Sequence, residues 1–75
     1  MVAIEYNSHR EALAERIRTL RIKRGYSIRN FSLMIGISKT HLVKVESADS
    51  SPTFDMLERI AAGLDVRITD LVTFE

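Results

Sequence analysis

Residues 27–47, SIRNFSLMIGISKTHLVKVES, decide the fold. Ser27 and Ser38 each precede a run whose apolar residues return at helical spacing, Phe31 and Ile35 in the first, Leu42 and Val45 in the second. Serine in that position is a helix N-cap, because its hydroxyl accepts from a free amide of the first turn. Gly36 ends the first helix, since glycine takes the left-handed backbone conformation without steric penalty. The stretch predicts one helix from Ile28 to Ile35 and another from Lys39 to about Ser47. They meet across Gly36-Ile37, and each buries one narrow face.

Upstream, Ser8-His9-Arg10-Glu11 reads as a capping box, with Ser8 and Glu11 exchanging bonds with each other's amides. A helix should follow to about Arg24, burying Leu13, Ile17 and Leu20, with Gly25 ending it and Lys23 and Arg24 facing the negative end of its dipole. Before it, Val2, Ile4 and Tyr6 alternate with Met1, Ala3 and Glu5, a short strand pattern. Downstream, residues 48–52 have loop composition. Thr53 then caps a helix with Leu57, Ile60, Ala61 and Leu64 inward, and Asp65 closes it. Within it, Gly63 costs up to about 1 kcal/mol against alanine. Ile68 to Val72 forms a short fifth helix. The expected architecture is all-α: a compact five-helix domain over residues 8–75, preceded by an extension over residues 1–7.

Bulk composition excludes several classes. A chain of 75 residues makes one domain and buries only about 60% of its unfolded surface. With no cysteine, disulfides and thiolate-ligated zinc are excluded, which fits a reducing cytoplasm. No apolar run approaches the roughly 18 residues that span a bilayer, and the start lacks a signal-peptide pattern. His9 and His41 lack the clustered acidic or histidine partners a metal needs, so no metal or cofactor is expected. Net charge is +1, but it is unevenly spread. Residues 1–48 hold nine Lys/Arg and four Asp/Glu, and residues 49–75 hold two and six. One end is suited to face an anion.

Two short helices joined by a glycine turn form either a helix-turn-helix or an ordinary helical hairpin. The wider pattern favours the first. From Leu20 to Leu71 the order is LRIKRGYSIRNFSLMIGISKTHLVKVE, a loop, then SPTFDMLERIAAGLDVRITDL. This resembles the Cro/repressor (XRE) helix-turn-helix family in its arginine near the end of helix 1, its two serine caps, its glycine turn, its glutamate closing helix 3 and its Pro-Thr entry to helix 4.

The resemblance implies that helix 3 enters the major groove and that Lys39, Thr40 and Lys44 touch base edges. At about 100° per residue, Thr40, Val43, Lys44 and Ser47 point away from Leu42 and Val45, an independent sign of the same face. Lysine suits guanine, threonine either groove edge or phosphate, and valine a thymine methyl. Lys39, at the helix start, suits a base or a phosphate equally, and any exposed lysine is ordinarily just solvated. The resemblance also implies an ion pair between Arg21 and Glu46. Phosphates are expected at helix N-termini, where free amides and the dipole favour anions: Ser27, Ile28 and Arg29 for helix 2, Thr53 and Phe54 for helix 4, with Ser47 beside them.

The chain departs from the family at Ile28, where a phosphate-binding glutamine is common, at Asp49, where the loop is often basic, and at Ser32, where alanine is usual. Leu33 and Met34 stand where the family tends to be polar. They either complete the core against the N-terminal segment or form a patch for a partner.

The expected function is a sequence-specific transcriptional regulator on double-stranded DNA, working as a homodimer on a palindromic operator. Within these 75 residues the dimer contacts are expected from Ile68, Leu71, Val72 and Phe74. Residues Val2–Tyr6 are a further candidate, pairing as a strand with Leu71–Phe74. The alternative is a protein-interaction module or antitoxin-like protein that binds its partner through Leu33 and Met34. No nucleophile–base constellation or phosphate-binding glycine loop suggests an enzyme.

Overall fold

A computed structural model describes residues 6–74, with side-chain environments from residue 9. Among these residues lie five helices and no strand: α1 (Tyr6–Lys23), α2 (Ile28–Ile35), α3 (Lys39–Glu46), α4 (Phe54–Leu64) and α5 (Ile68–Val72). None is long and apolar enough to cross a membrane. Three of the N-caps are those the sequence marks. Ser27 accepts from the Asn30 amide at 3.0 Å, Ser38 from His41 at 3.0 Å and Thr53 from Met56 at 3.2 Å.

Four successive helices end in one geometry. Gly25, Gly36, Ala48 and Asp65 all have positive φ, between 57° and 77°. In each case the next amide reaches back to a carbonyl in the last turn: Tyr26 to Arg21, Ile37 to Ser32, Asp49 to Lys44 and Val66 to Ala61. This is the Schellman closure, which satisfies carbonyls that a helix end leaves free. The glycines announce two of these turns. Ala48 does so without the residue type that makes the conformation easy.

Ile17, Phe31, Leu42, Ile60, Leu64 and Leu71 are fully buried, and Val45 nearly so. One core therefore takes a residue from every helix. Met56 packs against it, whereas Leu57, expected in the inner stripe of α4, is half-buried. Gly63 is more than a weak helix former. A Cβ there would lie 2.6 Å from Ile35 Cγ2 and 2.9 Å from Phe31 Cε1, so only glycine lets α4 approach α2 this closely.

Two expectations at the ends need correction. Helix α1 begins at Tyr6, so Ser8 lies inside its first turn and cannot be the N-cap of a Ser8–Glu11 box. Neither Tyr6 nor Asn7 breaks a helix, and both extend it. The strand pairing also fails on the described side, because Leu71 and Val72 are helical and Tyr6 belongs to α1. Residues 2–5 of that pairing lie outside the described residues.

Arg16 ties the far end back to α1. Its Nη1 donates to the carbonyls of Asp70 at 3.2 Å, Leu71 at 3.0 Å and Thr73 at 2.7 Å. Those carbonyls have no further helical turn to accept from, and a cation there also suits the negative end of the dipole. The same guanidinium lies 5.1 Å from the centre of the Phe74 ring, which stacks on His9 at 5.1 Å.

Candidate nucleic-acid interface

Helix α3 is anchored by two residues and exposes the rest. Leu42 is fully buried and Val45 is 1% exposed, while Lys39, Thr40, Val43 and Lys44 face outward. The apolar anchors lie three residues apart, so the intervening and flanking positions form a ridge on the opposite side. Shallow grooves flank the ridge. One is lined by Ser38, Thr40, His41, Lys44 and Ser50. The other is lined by Arg18, Arg21, Ile28, Val43, Glu46 and Ser47, where α1, α2 and α3 converge.

The C-terminal end of α3 is fixed to α1 by charge. Arg21 Nε donates to Glu46 Oε2 at 2.7 Å and Arg21 Nη2 to Glu46 Oε1 at 3.0 Å, a two-pronged pair. Arg21 Nη1 also donates to the Tyr26 carbonyl at 2.7 Å. The side chains are 9% and 5% exposed, so the pair sits in a largely dry seam. Every polar atom of that seam has a partner, since no buried side-chain nitrogen or oxygen among the described residues lacks a hydrogen bond.

The expected phosphate-facing residues fall at two helix starts and the end of α3. At α2, the Ser27 hydroxyl takes the Asn30 amide, leaving the amides of Ile28 and Arg29 without a partner among the described residues. Arg29 is exposed. The Ile28 side chain is half-buried against the core, so the position common for glutamine supplies packing in place of a donor. At α4, Thr53 is likewise occupied as a cap and Phe54 is 64% exposed. Ser47 ends α3 in the open and donates to the Val43 carbonyl at 2.8 Å. Asp49 is exposed beside it.

The four dimer candidates do not share one surface. Leu71 is fully buried in the chain's own core, which removes it from any interface. Ile68 packs partly against that core, and Phe74 lies over α1 with His9 and Arg16. Only Val72, 39% exposed, is left open. The reason is the shortness of α5, which has room for one inward face and little else.

Leu33 and Met34 are 72% and 52% exposed on α2, and Met34 borders a groove with Arg59, Ala62 and Gly63. Arg18, not among the residues expected at the interface, lines the groove with Ile28 and Val43. The signal for it was present, because it stands three residues before Arg21 and so shares a flank of α1 with it.

With this geometry in place, the comparisons with known proteins are specific. A family model described as helix-turn-helix matches residues 17–71. The transcriptional regulator SlrR of Bacillus subtilis is 35% identical over 60 residues, covering 79% of this chain and 40% of SlrR. A crystal structure of a transcriptional regulator of the same family from Vibrio cholerae superposes with a TM-score of 0.81 at 31% identity, covering 87% of this chain and 36% of that one. The master regulator for biofilm formation SinR, crystallised in complex with DNA, superposes with a TM-score of 0.78 at 29% identity, covering 81% of this chain and 98% of the other. The chain spans 34–55% of the length of the curated relatives it matches.

Proposed function

The chain belongs to the helix-turn-helix family, and from that premise we propose that it is a sequence-specific DNA-binding transcriptional regulator. In this reading α3 lies in the major groove, and two copies form a homodimer on a palindromic operator. The observation that carries the reading is the exposed ridge Lys39-Thr40-Val43-Lys44 on a helix held from behind by Leu42, Val45 and the Arg21–Glu46 pair. A side chain reads a base edge only if its backbone is fixed, and this backbone is held by packing and by a satisfied ion pair. Lys44 and Lys39 donate to guanine O6 and N7, Thr40 serves a base or phosphate, and Val43 meets a thymine methyl. Phosphates take the α2 amides at Ile28 and Arg29 with the Arg29 side chain, the start of α4 at Thr53 and Phe54, and Ser47.

One such helix spans only a few base pairs, so sequence selectivity requires a second copy. A two-fold dimer places half-sites about 34 Å apart along the duplex. The test is selection from a random duplex pool at near-physiological salt. An enriched palindrome with half-sites about one helical turn apart is the expected result. A pool that stays random overturns sequence-specific reading.

A second reading is favoured by the exposure of Leu33 and Met34, large apolar residues on a helix that the core has already satisfied. They suit a protein partner. The readings separate on the double variant Lys39→Ala, Lys44→Ala. Loss of regulation supports the DNA interface, and retained function supports the partner surface.

A further inference from the structure

The proposed interface has an electrostatic deficit on its α1–α2 side. Ile28 offers no side-chain donor there, and Asp49, in the loop after α3, adds a negative charge. The charge of Arg21 is already matched by Glu46 in a largely dry seam. Non-specific affinity for duplex DNA comes almost wholly from cations at phosphates, so beside Arg29 at the start of α2 a further free cation on α1 would strengthen this flank.

We propose that Arg18 supplies it, as a phosphate-contacting residue of the DNA interface. The proposal rests on the DNA-binding reading above. Arg18 is exposed and lines the same groove as Ile28, Val43 and Ser47, so its side chain starts beside the ridge that reads bases. It has no hydrogen bond or ion pair among the described residues, unlike its neighbours Arg16 and Arg21. Its charge is therefore free where that of Arg21 is not. Ile28, whose amide is unpartnered among the described residues, lines the same groove. A guanidinium presents two parallel donors that match two phosphate oxygens, a geometry an ammonium lacks.

Opposing charges are close. On its other side Arg18 lines a second groove with Glu11 and Glu15, yet neither carboxylate comes within ion-pair distance of it. These carboxylates would repel a phosphate directly. Arg18 stands between them and the α2 side, and its long stem can carry the guanidinium away from them. The arginine thus takes the place that a polar residue at position 28 would otherwise fill, while Ile28 serves the core.

The experiment is a titration of a mixed-sequence 20-base-pair duplex across 50–200 mM salt, using wild type, Arg18→Ala, Arg18→Lys and Arg67→Ala. Arg67 is a control, being exposed, outside both grooves and adjacent to Asp70. One phosphate contact contributes about 0.9 to the slope of log affinity against log salt. Arg18→Ala should lower the slope by about that amount, so its deficit against wild type shrinks roughly three- to fourfold between the two salt limits. Arg18→Lys should keep the slope, and Arg67→Ala should not change it. An unchanged slope in Arg18→Ala with normal wild-type binding overturns the proposal and leaves the DNA reading standing. An equal loss in Arg67→Ala also overturns it, by showing a general effect of net charge. A wild-type chain with no salt-dependent binding overturns the DNA reading and the proposal together.

Discussion

Ala48 is the residue whose conformation its type explains least. Its φ of 61° completes the Schellman turn after α3, where Gly25 and Gly36 complete the corresponding turns after α1 and α2. A Cβ in that region meets the following carbonyl oxygen at a cost of roughly 1–2 kcal/mol. Ala48→Gly should therefore stabilise the domain by about 1 kcal/mol, less a part returned by the looser unfolded chain. Chemical denaturation with an unchanged dependence on denaturant is the check, and a loss of stability would show that Ala48 is unstrained. Gly63 has the opposite expectation. A methyl group there overlaps Ile35 and Phe31, so Gly63→Ala should lose about 1–3 kcal/mol despite alanine's better helix propensity. Propensity alone predicts a gain, so the sign of the change decides between the two effects. Neither residue could be judged from its neighbours in sequence, because each depends on where another helix or carbonyl sits.

Among the elements, α3 depends on its attachment to α1. Packing at Leu42 and Val45 sets its depth, and the Arg21–Glu46 pair sets its C-terminal end. Removing one partner leaves a charge in a dry seam, at a cost of about 3–5 kcal/mol. Arg21→Met with Glu46→Leu removes both charges and should be far less damaging than either change alone. A double-mutant cycle by denaturation measures this, and additive losses would mean the two side chains do not cooperate. Stability and binding should also separate here. The double variant can fold well yet bind DNA less selectively, since apolar contact fixes the helix angle less sharply than a two-pronged hydrogen bond. The pairing was legible in the sequence through the family resemblance, and the helix caps were legible from serine and threonine alone. The start of α1 was not, because a plausible cap at Ser8 competes with residues that simply continue the helix.

For the whole molecule, the first two-thirds of the sequence is basic and the remainder acidic. The recognition ridge and Arg18 belong to the basic part. Four of the six acidic residues after position 48 lie on α4, α5 and the turn between them. A dimer that uses the open side of α5 should bring Val72 to its interface. At micromolar concentration the mass should approach twice 8.6 kDa, and Val72→Asp should return it to the monomer. A wild-type monomer at that concentration would place the second copy elsewhere or remove it. Helix count, helix order, the caps at Ser27, Ser38 and Thr53 and the outward residues of α3 were determined by the sequence by itself. Each follows from local spacing or from a hydroxyl or glycine acting on its own turn, and these effects need no distant partner. The tertiary structure alone decided that Leu71 is core, that Gly63 permits contact between helices, that Ala48 turns left-handed, and that Arg18 is free while Arg16 and Arg21 are engaged. Those facts depend on which groups meet across the fold, and helical spacing places a side chain on a face without saying what lies opposite it.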